Sequence, residues 1–194
     1  MLKDLFVSEV RVKILRTLLT NPDKPYHVRG LVRAVKTEIN AVRRELDRLT
    51  LAGLLRKRQS GNRIYYNVNT ASSYFPDLVS LISKEEGLGA DIIKNAKKLG
   101  GVYFAVLSRA FLRGRQSTAL DVDLFIVGDN VNVPVLQEII KRHEHVVGKE
   151  VNYTVMSKEE FIFRKRKNDS FISKLLAQSR TMLIGDEEEF CTVY

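Results

Sequence analysis

The chain has 194 residues, 44% of them hydrophobic and 28% charged, a composition typical of folded domains and unlike that of disordered proteins. No apolar run is long enough to cross a membrane, and the N-terminus lacks the apolar core of a signal peptide. The single cysteine, Cys191, excludes an internal disulfide and a cysteine zinc cluster. We therefore expect a cytoplasmic protein without a membrane partner.

The net charge of +9 is concentrated at the N-terminus. Residues 1–70 contain 15 Lys and Arg against 6 Asp and Glu, whereas residues 71–194 contain 17 of each kind. Because the basic excess is confined to one part of the chain, it indicates that this part binds a polyanion.

Three helices and a hairpin are predicted in the first third of the chain. Apolar residues recur at helical spacing in 8–19 and, after the breaker NPDKP, again in 26–35. A third helix is predicted over 37–55, with Thr37 as its N-cap and Gly53 ending it. The segments LLRKRQ and RIYYNVN flank SGN, a pattern typical of a hairpin with a tight turn.

The third helix has an apolar face and a polar face. Its apolar side chains are spaced by three and four residues, at Ile39, Val42, Leu46 and Leu49. The opposite face presents Asn40, Arg43, Arg44, Asp47 and Arg48. A helix fits the major groove of DNA, where Asn and Arg can make paired hydrogen bonds to adenine and guanine.

We expect Asn40 and Arg43 to contact bases. Phosphate contacts are expected from Arg44 and Arg48 and from the hairpin residues Lys57, Arg58 and Arg63, with Thr37 beside them at the helix start. The alternative is a solvated helix face with internal ion pairs, such as Arg44 with Asp47, or Arg44 and Arg48 with the nearby Glu45.

The order of elements resembles the winged helix-turn-helix domain of ArsR-type transcriptional regulators over about residues 5–70. The segment YHVRGLVRAVKTEINAVRRELDRLTLAGLLRKR carries the resemblance. It implies an α+β domain, residues 1–70, that binds double-stranded DNA in a prokaryotic regulator. Residues 71–100 begin with a linker-like segment, TASSYFPDL (70–78), followed by two predicted helices. Such helical linkers often carry the dimer contact of these regulators, and a two-fold DNA site favours a homodimer.

From Gly101 onward, predicted strands alternate with predicted helices. Strands are predicted over 102–108, 122–128, 150–156 and the segment TMLIG. Helices are predicted over 133–148 and from the capping box of Ser157 and Glu160, followed by SFISKLLAQ. This order predicts an α/β domain over 101–194 with a small mixed sheet.

Two aspartates, Asp121 and Asp123, lie two residues apart at the start of an apolar strand. Their side chains would point to the same side of that strand, as in a site for a divalent metal. The segment LDVDLFIVG resembles the metal-binding strand of the nucleotidyltransferases of the DNA polymerase beta superfamily, over about residues 101–190.

The resemblance implies a Gly-Ser pair about a dozen residues before the first aspartate and a third carboxylate on a later strand. Arg109 and Ala110 lie where the resemblance implies the Gly-Ser pair, and Gly114 is left as a nucleotide contact. The neutral Asn152 lies where the resemblance implies the third carboxylate. Because losing one preorganised donor costs about two to three orders of magnitude in rate, we expect an inactive domain without a cofactor. Asp121 and Asp123 would then bind Mg²⁺ or a nucleotide weakly, or only end a strand.

An inactive domain of this kind would serve as a sensor, a dimer element or a module that binds a protein partner. The alternative is an active, metal-dependent nucleotidyltransferase that modifies a protein or RNA, as in toxin–antitoxin pairs.

Three further features have simpler explanations. His143 and His145 do not face each other on a helix, so they predict no metal pair. The run RKRK (164–167) is expected to be a solvated basic face, and GDEEEF an acidic segment near the C-terminus.

Overall fold

A computed structural model of the chain describes residues 2, 6–114, 118 and 121–192. The chain divides into two compact units, Met1–Glu85 and Glu86–Tyr194. The first contains a three-stranded sheet and the second a four-stranded sheet, each with helices, so the fold is α+β. The boundary between the units lies inside the segment 71–100 that the sequence predicts to be a helical linker.

The N-terminal unit is built on a long first helix. Its elements are α1 (Glu9–Thr20), β1 (Tyr26–His27), α2 (Val28–Val35), α3 (Ile39–Leu51), β2 (Leu55–Ser60), β3 (Arg63–Val68) and α4 (Phe75–Glu85). Helix α1 packs against α2, α3 and α4, with Ile14 and Leu18 fully buried. The strands form an antiparallel sheet in the order β1-β3-β2. The three predicted helices and the hairpin are thus present, although their first and last residues differ from the predicted ones.

The two-residue strand β1 differs from the sequence prediction, which begins a helix at residue 26. Tyr26 pairs with Tyr66 and His27 with Tyr65 in the sheet. His27 then serves as the N-cap of α2, because its Nδ1 accepts a hydrogen bond from the backbone N–H of Gly30 at 2.9 Å. The linker-like segment 70–78 continues into a helix in its second half. Helix α4 begins at Phe75, whose ring is buried.

The second unit is a mixed sheet covered by helices on both faces. Its elements are α5 (Gly87–Lys94), α6 (Ala96–Leu99), β4 (Gly101–Ser108), α7 (Arg109–Leu112), β5 (Leu124–Asp129), α8 (Val133–Val147), β6 (Tyr153–Met156), α9 (Lys158–Arg166), α10 (Ser170–Ala177), β7 (Arg180–Ile184) and α11 (Glu187–Cys191). The strand order is β6-β5-β4-β7, with β5 and β6 parallel and the other pairs antiparallel. The predicted small mixed sheet is present, although β5 and β6 begin two and three residues later than predicted.

Strands β4 and β5 show why both faces of this sheet are covered. Successive side chains of a strand point to opposite faces, so an unbroken apolar strand requires apolar partners on both sides. Leu124 and Ile126 pack with α5, α6 and α8, whereas Phe125 and Val127 pack with α9, α10 and α11. The continuous apolar runs in the sequence therefore correspond to the middle layer of three.

The acidic segment GDEEEF is a helix anchored by one aromatic side chain. Phe190 is fully buried and stacks on Phe161 with ring centroids 5.2 Å apart. Lys165, which lies in the run expected to be a solvated basic face, is only 6% exposed, and its Nζ donates to the carbonyl oxygen of Phe190. The expectation of a solvated face is therefore wrong at Lys165, because this lysine holds α11 against α9.

Replacing Phe190 with alanine should lower the free energy of unfolding by about 3–5 kcal/mol, because the change leaves a cavity among packed rings. Urea denaturation followed by circular dichroism measures this loss. Phe163→Ala is the matched control, since Phe163 is 60% exposed and its removal should change stability by less than about 0.5 kcal/mol. Equal effects of the two substitutions would contradict the packing described here.

Candidate nucleic-acid interface

Helix α3 begins one residue later than the sequence suggests. Its N-cap is Glu38, whose carboxylate accepts from the backbone N–H groups of Asn40 and Ala41, both at 2.9 Å. Thr37 is therefore not the N-cap, and its hydroxyl donates instead to the carbonyl oxygen of Val35 at 3.1 Å. Hydrogen bonds from Asn40 and Ala41 lower the pKa of Glu38, and the positive charges of Arg44 and Arg43 add to this effect.

The outward face of α3 carries the polar side chains that helical periodicity predicts. Val42, Leu46 and Leu49 are buried. Exposed on the opposite side are Asn40, Arg43, Arg44, Asp47 and Arg48. Among the residues that the structure describes, Arg43 and Arg44 form no ion pair, so the expected alternative is present only in part: Arg44 does not pair with Asp47, but Arg48 pairs with Glu45 within the helix. The guanidinium groups of Arg43 and Arg44 are available to an external anion.

A buried carboxylate, Glu45, joins α3 to α1. One of its oxygens accepts from Nε of Arg11 at 2.8 Å, and the other accepts from Arg48 at 3.3 Å. Glu45 is only 6% exposed, whereas the side chain of Arg11 is 29% exposed, so the carboxylate is buried beneath partly exposed arginines. Arg48 remains 65% exposed at its side chain, but its position is fixed from below by Glu45.

Opposing effects act on the pKa of Glu45. Desolvation raises it, whereas the hydrogen bonds from Arg11 and Ser8 and the charges of Arg11 and Arg48 lower it. The lowering effects are larger in sum, so the pKa of Glu45 lies below its ordinary value. Glu45 therefore stabilises the fold in its charged form.

The hairpin of β2 and β3 extends beyond the core as a basic projection. It turns at Gly61, where φ is +56°, and the register pairs Ser60 with Arg63. All residues of β2 after Leu55 are exposed. Side chains alternate between the two faces. Lys57 lies on the face of Leu55 and Tyr66, which are buried, whereas the opposite face carries Arg56, Arg58 and Arg63.

Helix α2 adds three cations that the sequence analysis missed. Arg29 and Arg33 lie one turn apart on α2, and Lys36 follows at its C-cap with φ +50°. All three are exposed. The signal was present in the sequence as an i, i+4 arginine pair opposite the apolar residues Leu31 and Val35. The sequence analysis also missed Arg56, an exposed cation on β2.

These cations form one group, which we call the unpaired cations. In the described ranges of the chain, none of them forms an ion pair with a carboxylate. The group consists of Arg29, Arg33, Lys36, Arg43, Arg44, Arg56, Lys57, Arg58 and Arg63.

A second candidate site lies before β5, where Asp121, Asp123 and Asn152 come together. Asp123 is only 2% exposed, and its carboxylate accepts from the backbone N–H of Asn152 at 3.0 Å. Asp121 is exposed, and its carboxylate accepts from the backbone N–H and the hydroxyl of Thr118 at 2.7 and 2.9 Å. These two bonds lower the pKa of Asp121. The Asn152 side chain donates to the carbonyl oxygen of Thr118 at 2.8 Å.

Asn152 thus lies beside the two aspartates, where the resemblance to nucleotidyltransferases implies a third carboxylate. Within residues 2, 6–114, 118 and 121–192, no group of three or more His, Cys, Asp or Glu forms that could hold a metal ion. Asp123 instead accepts a hydrogen bond from Asn152, and Asp121 accepts two from Thr118. The geometry is that of a loop tied to the end of a sheet.

The positions that should bind a nucleotide phosphate lie in and after α7. Arg109 and Ala110 belong to this short helix, and Gly114 follows it with φ +76°. The carbonyl oxygen of Gly114 accepts from Nζ of Lys149 at 2.7 Å. Residues 115–117 and 119–120 of this loop lie outside the described residues. His143 is half-buried against Phe111, with ring centroids 5.9 Å apart, and its burial lowers its pKa.

The chain matches no model of a known protein family and no curated protein. Of the helices described, none is both long enough and apolar enough to cross a membrane.

The pairing of Glu45 makes stability depend on pH. Its pKa is lowered on folding, so its contribution is fully present above the ordinary pKa of 4.5 and is lost as pH falls through the lower value of the folded state. We expect Glu45→Gln to cost about 2 kcal/mol at pH 7 in urea denaturation, since hydrogen bonds to charged groups are worth about this much.

The difference between wild type and Glu45→Gln should shrink as the solution is made more acidic. Glu138→Gln serves as the control, because Glu138 is exposed and pairs only with Arg142 one turn away. That control should lose less than about 0.5 kcal/mol. A loss for Glu45→Gln that stays constant down to pH 3 would contradict the role of its charge.

Proposed function

We propose that the N-terminal unit is a winged helix-turn-helix domain that binds double-stranded DNA, and that the chain is a transcriptional regulator. The observation that carries this proposal is the group of unpaired cations. The concentration of exposed cations on α2, α3 and one hairpin, without matching carboxylates, is the charge pattern of a surface that binds a polyanion. DNA, with one negative charge per about 1.7 Å of helix axis, supplies the missing counter-charges.

The dimensions of α3 support the same proposal. A helix with its side chains is about 10–12 Å across, and the major groove of B-DNA is about 12 Å wide. The outward face of α3 offers Asn40 and Arg43 for base edges and Arg44 for phosphates. The basic hairpin lies next in the chain and suits contacts to the neighbouring backbone.

We propose further that the second unit is a nucleotidyltransferase-like domain without catalytic activity. The burial of Asp123, which is 2% exposed and accepts from the backbone N–H of Asn152, supports this, since a buried carboxylate reaches a metal ion only after rearrangement. The neutral Asn152 beside them supports it as well. The rival, an active nucleotidyltransferase, has no specific observation in its favour. The homodimer and the cytoplasmic location stay predictions.

Removing two cations from α3 should weaken DNA binding. We expect Arg43→Ala/Arg44→Ala to lower the affinity for a mixed-sequence duplex by about tenfold or more at moderate salt. The slope of log K against log salt concentration should become shallower by about 1, since one or more phosphate contacts are lost. Fluorescence anisotropy over a series of salt concentrations measures both quantities.

The control for this experiment removes the same charge from the second unit. Lys97→Ala/Lys98→Ala changes two exposed cations at α6 and should leave both affinity and slope unchanged. If the two double variants bind equally well, or if the wild type ignores duplex DNA at low ionic strength, the proposed function is wrong.

The second unit should fail to transfer nucleotides. We expect no label transfer when the full chain is incubated with labelled nucleotides, Mg²⁺ or Mn²⁺ and cell lysate. Transfer that disappears in Asp121→Ala would establish the rival function instead. Asp121 is the preferred position for this test because it is exposed, whereas replacing Asp123 would also break the bond to Asn152.

A further inference from the structure

Helix α3 and its cap carry three carboxylates, and two of them have a structural role. Glu38 caps the helix, and Glu45 pairs with Arg11 and Arg48. The third, Asp47, is exposed and makes no hydrogen bond or ion pair with any residue in the described part of the chain. Its presence on a cationic face is therefore not explained by the fold.

Asp47 belongs to a row of side chains that includes Asn40 and Arg43. Their spacing of three and four residues places them on one side of α3, one above the other. From Asn40 to Asp47 the helix rises by about 10 Å, the height of about three base pairs.

Asp47 and Arg43 are four residues apart but form no ion pair with each other. In the i, i+4 pairs of Glu138 with Arg142 and of Glu160 with Arg164, the acid precedes the base, which is the favoured order. In α3 the order is reversed and the acid is the shorter aspartate. Both side chains are exposed and can therefore contact a partner outside the protein.

A carboxylate without a partner weakens any purely electrostatic hold on DNA, because it repels phosphates. A direct contact to a base offsets this cost, since a carboxylate in the major groove accepts a hydrogen bond from the N4 amino group of cytosine. We propose that Asp47 is a specificity-determining residue that recognises a cytosine in this way. The inference rests on the proposed DNA binding and adds to it the base that this position reads.

This role has a signature that a solvated aspartate lacks. Removing Asp47 takes away a repulsive charge, so binding to unselected duplex DNA becomes tighter. Removing it also takes away a base contact, so discrimination at one base pair becomes weaker. The two effects have opposite signs, and simple loss of a surface charge produces only the first.

The experiment begins with selection of preferred duplexes from a random library by the full wild-type chain. Affinities are then measured for the selected duplex and for all single base-pair variants of it, with wild type, Asp47→Ala and Asp23→Ala. Asp23 is the matched control, an exposed acid of the same unit that lies outside α3 and whose replacement changes the net charge equally. Circular dichroism establishes that all three proteins are folded.

We expect wild type to prefer cytosine by about tenfold at one position, and Asp47→Ala to lose that preference at that position alone. Asp23→Ala should keep it. The inference is overturned if Asp47→Ala keeps every base preference, or if Arg43→Ala, measured on the same duplexes, loses the same preference, which would mean that Asp47 acts by orienting Arg43. Wild type that binds duplexes but selects no sequence also overturns it and leaves the proposed function standing. Wild type that binds no duplex removes the proposed function itself.

Discussion

The N-terminal unit depends on a buried carboxylate that pairs with two partly exposed arginines. Breaking such a pair is costly, because one uncompensated charge would remain inside the protein. Glu45 bonds Arg11 of α1 from one oxygen and Arg48 of α3 from the other. The pairing fixes how α3 is rotated on α1, and that rotation decides which side chains face outward. Arg43, Arg44 and Asp47 are exposed because Val42, Leu46 and Glu45 are not.

In the second unit, polar groups serve the same kind of structural purpose. The sheet is apolar on both faces, so its exposed ends are where polar side chains are found. At the start of β5, the Asp123 carboxylate accepts from the backbone N–H of Asn152. Thr118 donates to Asp121, and its carbonyl oxygen accepts from the Asn152 side chain. Carboxylates used in this way close the end of the sheet. The same residues in a metal site would need to be released from these bonds.

The sequence predicted the parts of the fold that repeat locally. Helical spacing was sufficient for α1, α3 and α8, and the apolar runs for β4 and β5. It was not sufficient for β1, because a two-residue strand has no period and exists only through its pairing with β3. Capping of α3 by Glu38 was missed because Thr37 next to it is the more usual N-cap residue. The anchoring of α11 by Phe190 depends on a single apolar residue among acids.

The candidate interface shows the same division. The outward face of α3 follows from its period, so Asn40, Arg43 and Arg44 could be identified from sequence. The pairing of Glu45 with Arg11 could not be identified from sequence, because Arg11 lies 34 residues away in the chain. Arg29 and Arg33 could also have been identified from sequence by their i, i+4 spacing, although the charge of the hairpin is denser. Local patterns therefore identify faces, and contacts between distant segments determine which residues on those faces are available.

The lysine beneath the C-terminal helix has a practical consequence. A primary amine reacts with acylating reagents only when the reagent can reach it as the free base. The amine of Lys165 is enclosed and donates to the carbonyl oxygen of Phe190. Its acylation thus requires detachment of α11, whereas the exposed Lys167 reacts at the intrinsic rate. The ratio of the two acylation rates, read by mass spectrometry, measures how often the C-terminal helix comes away while the rest of the unit stays folded.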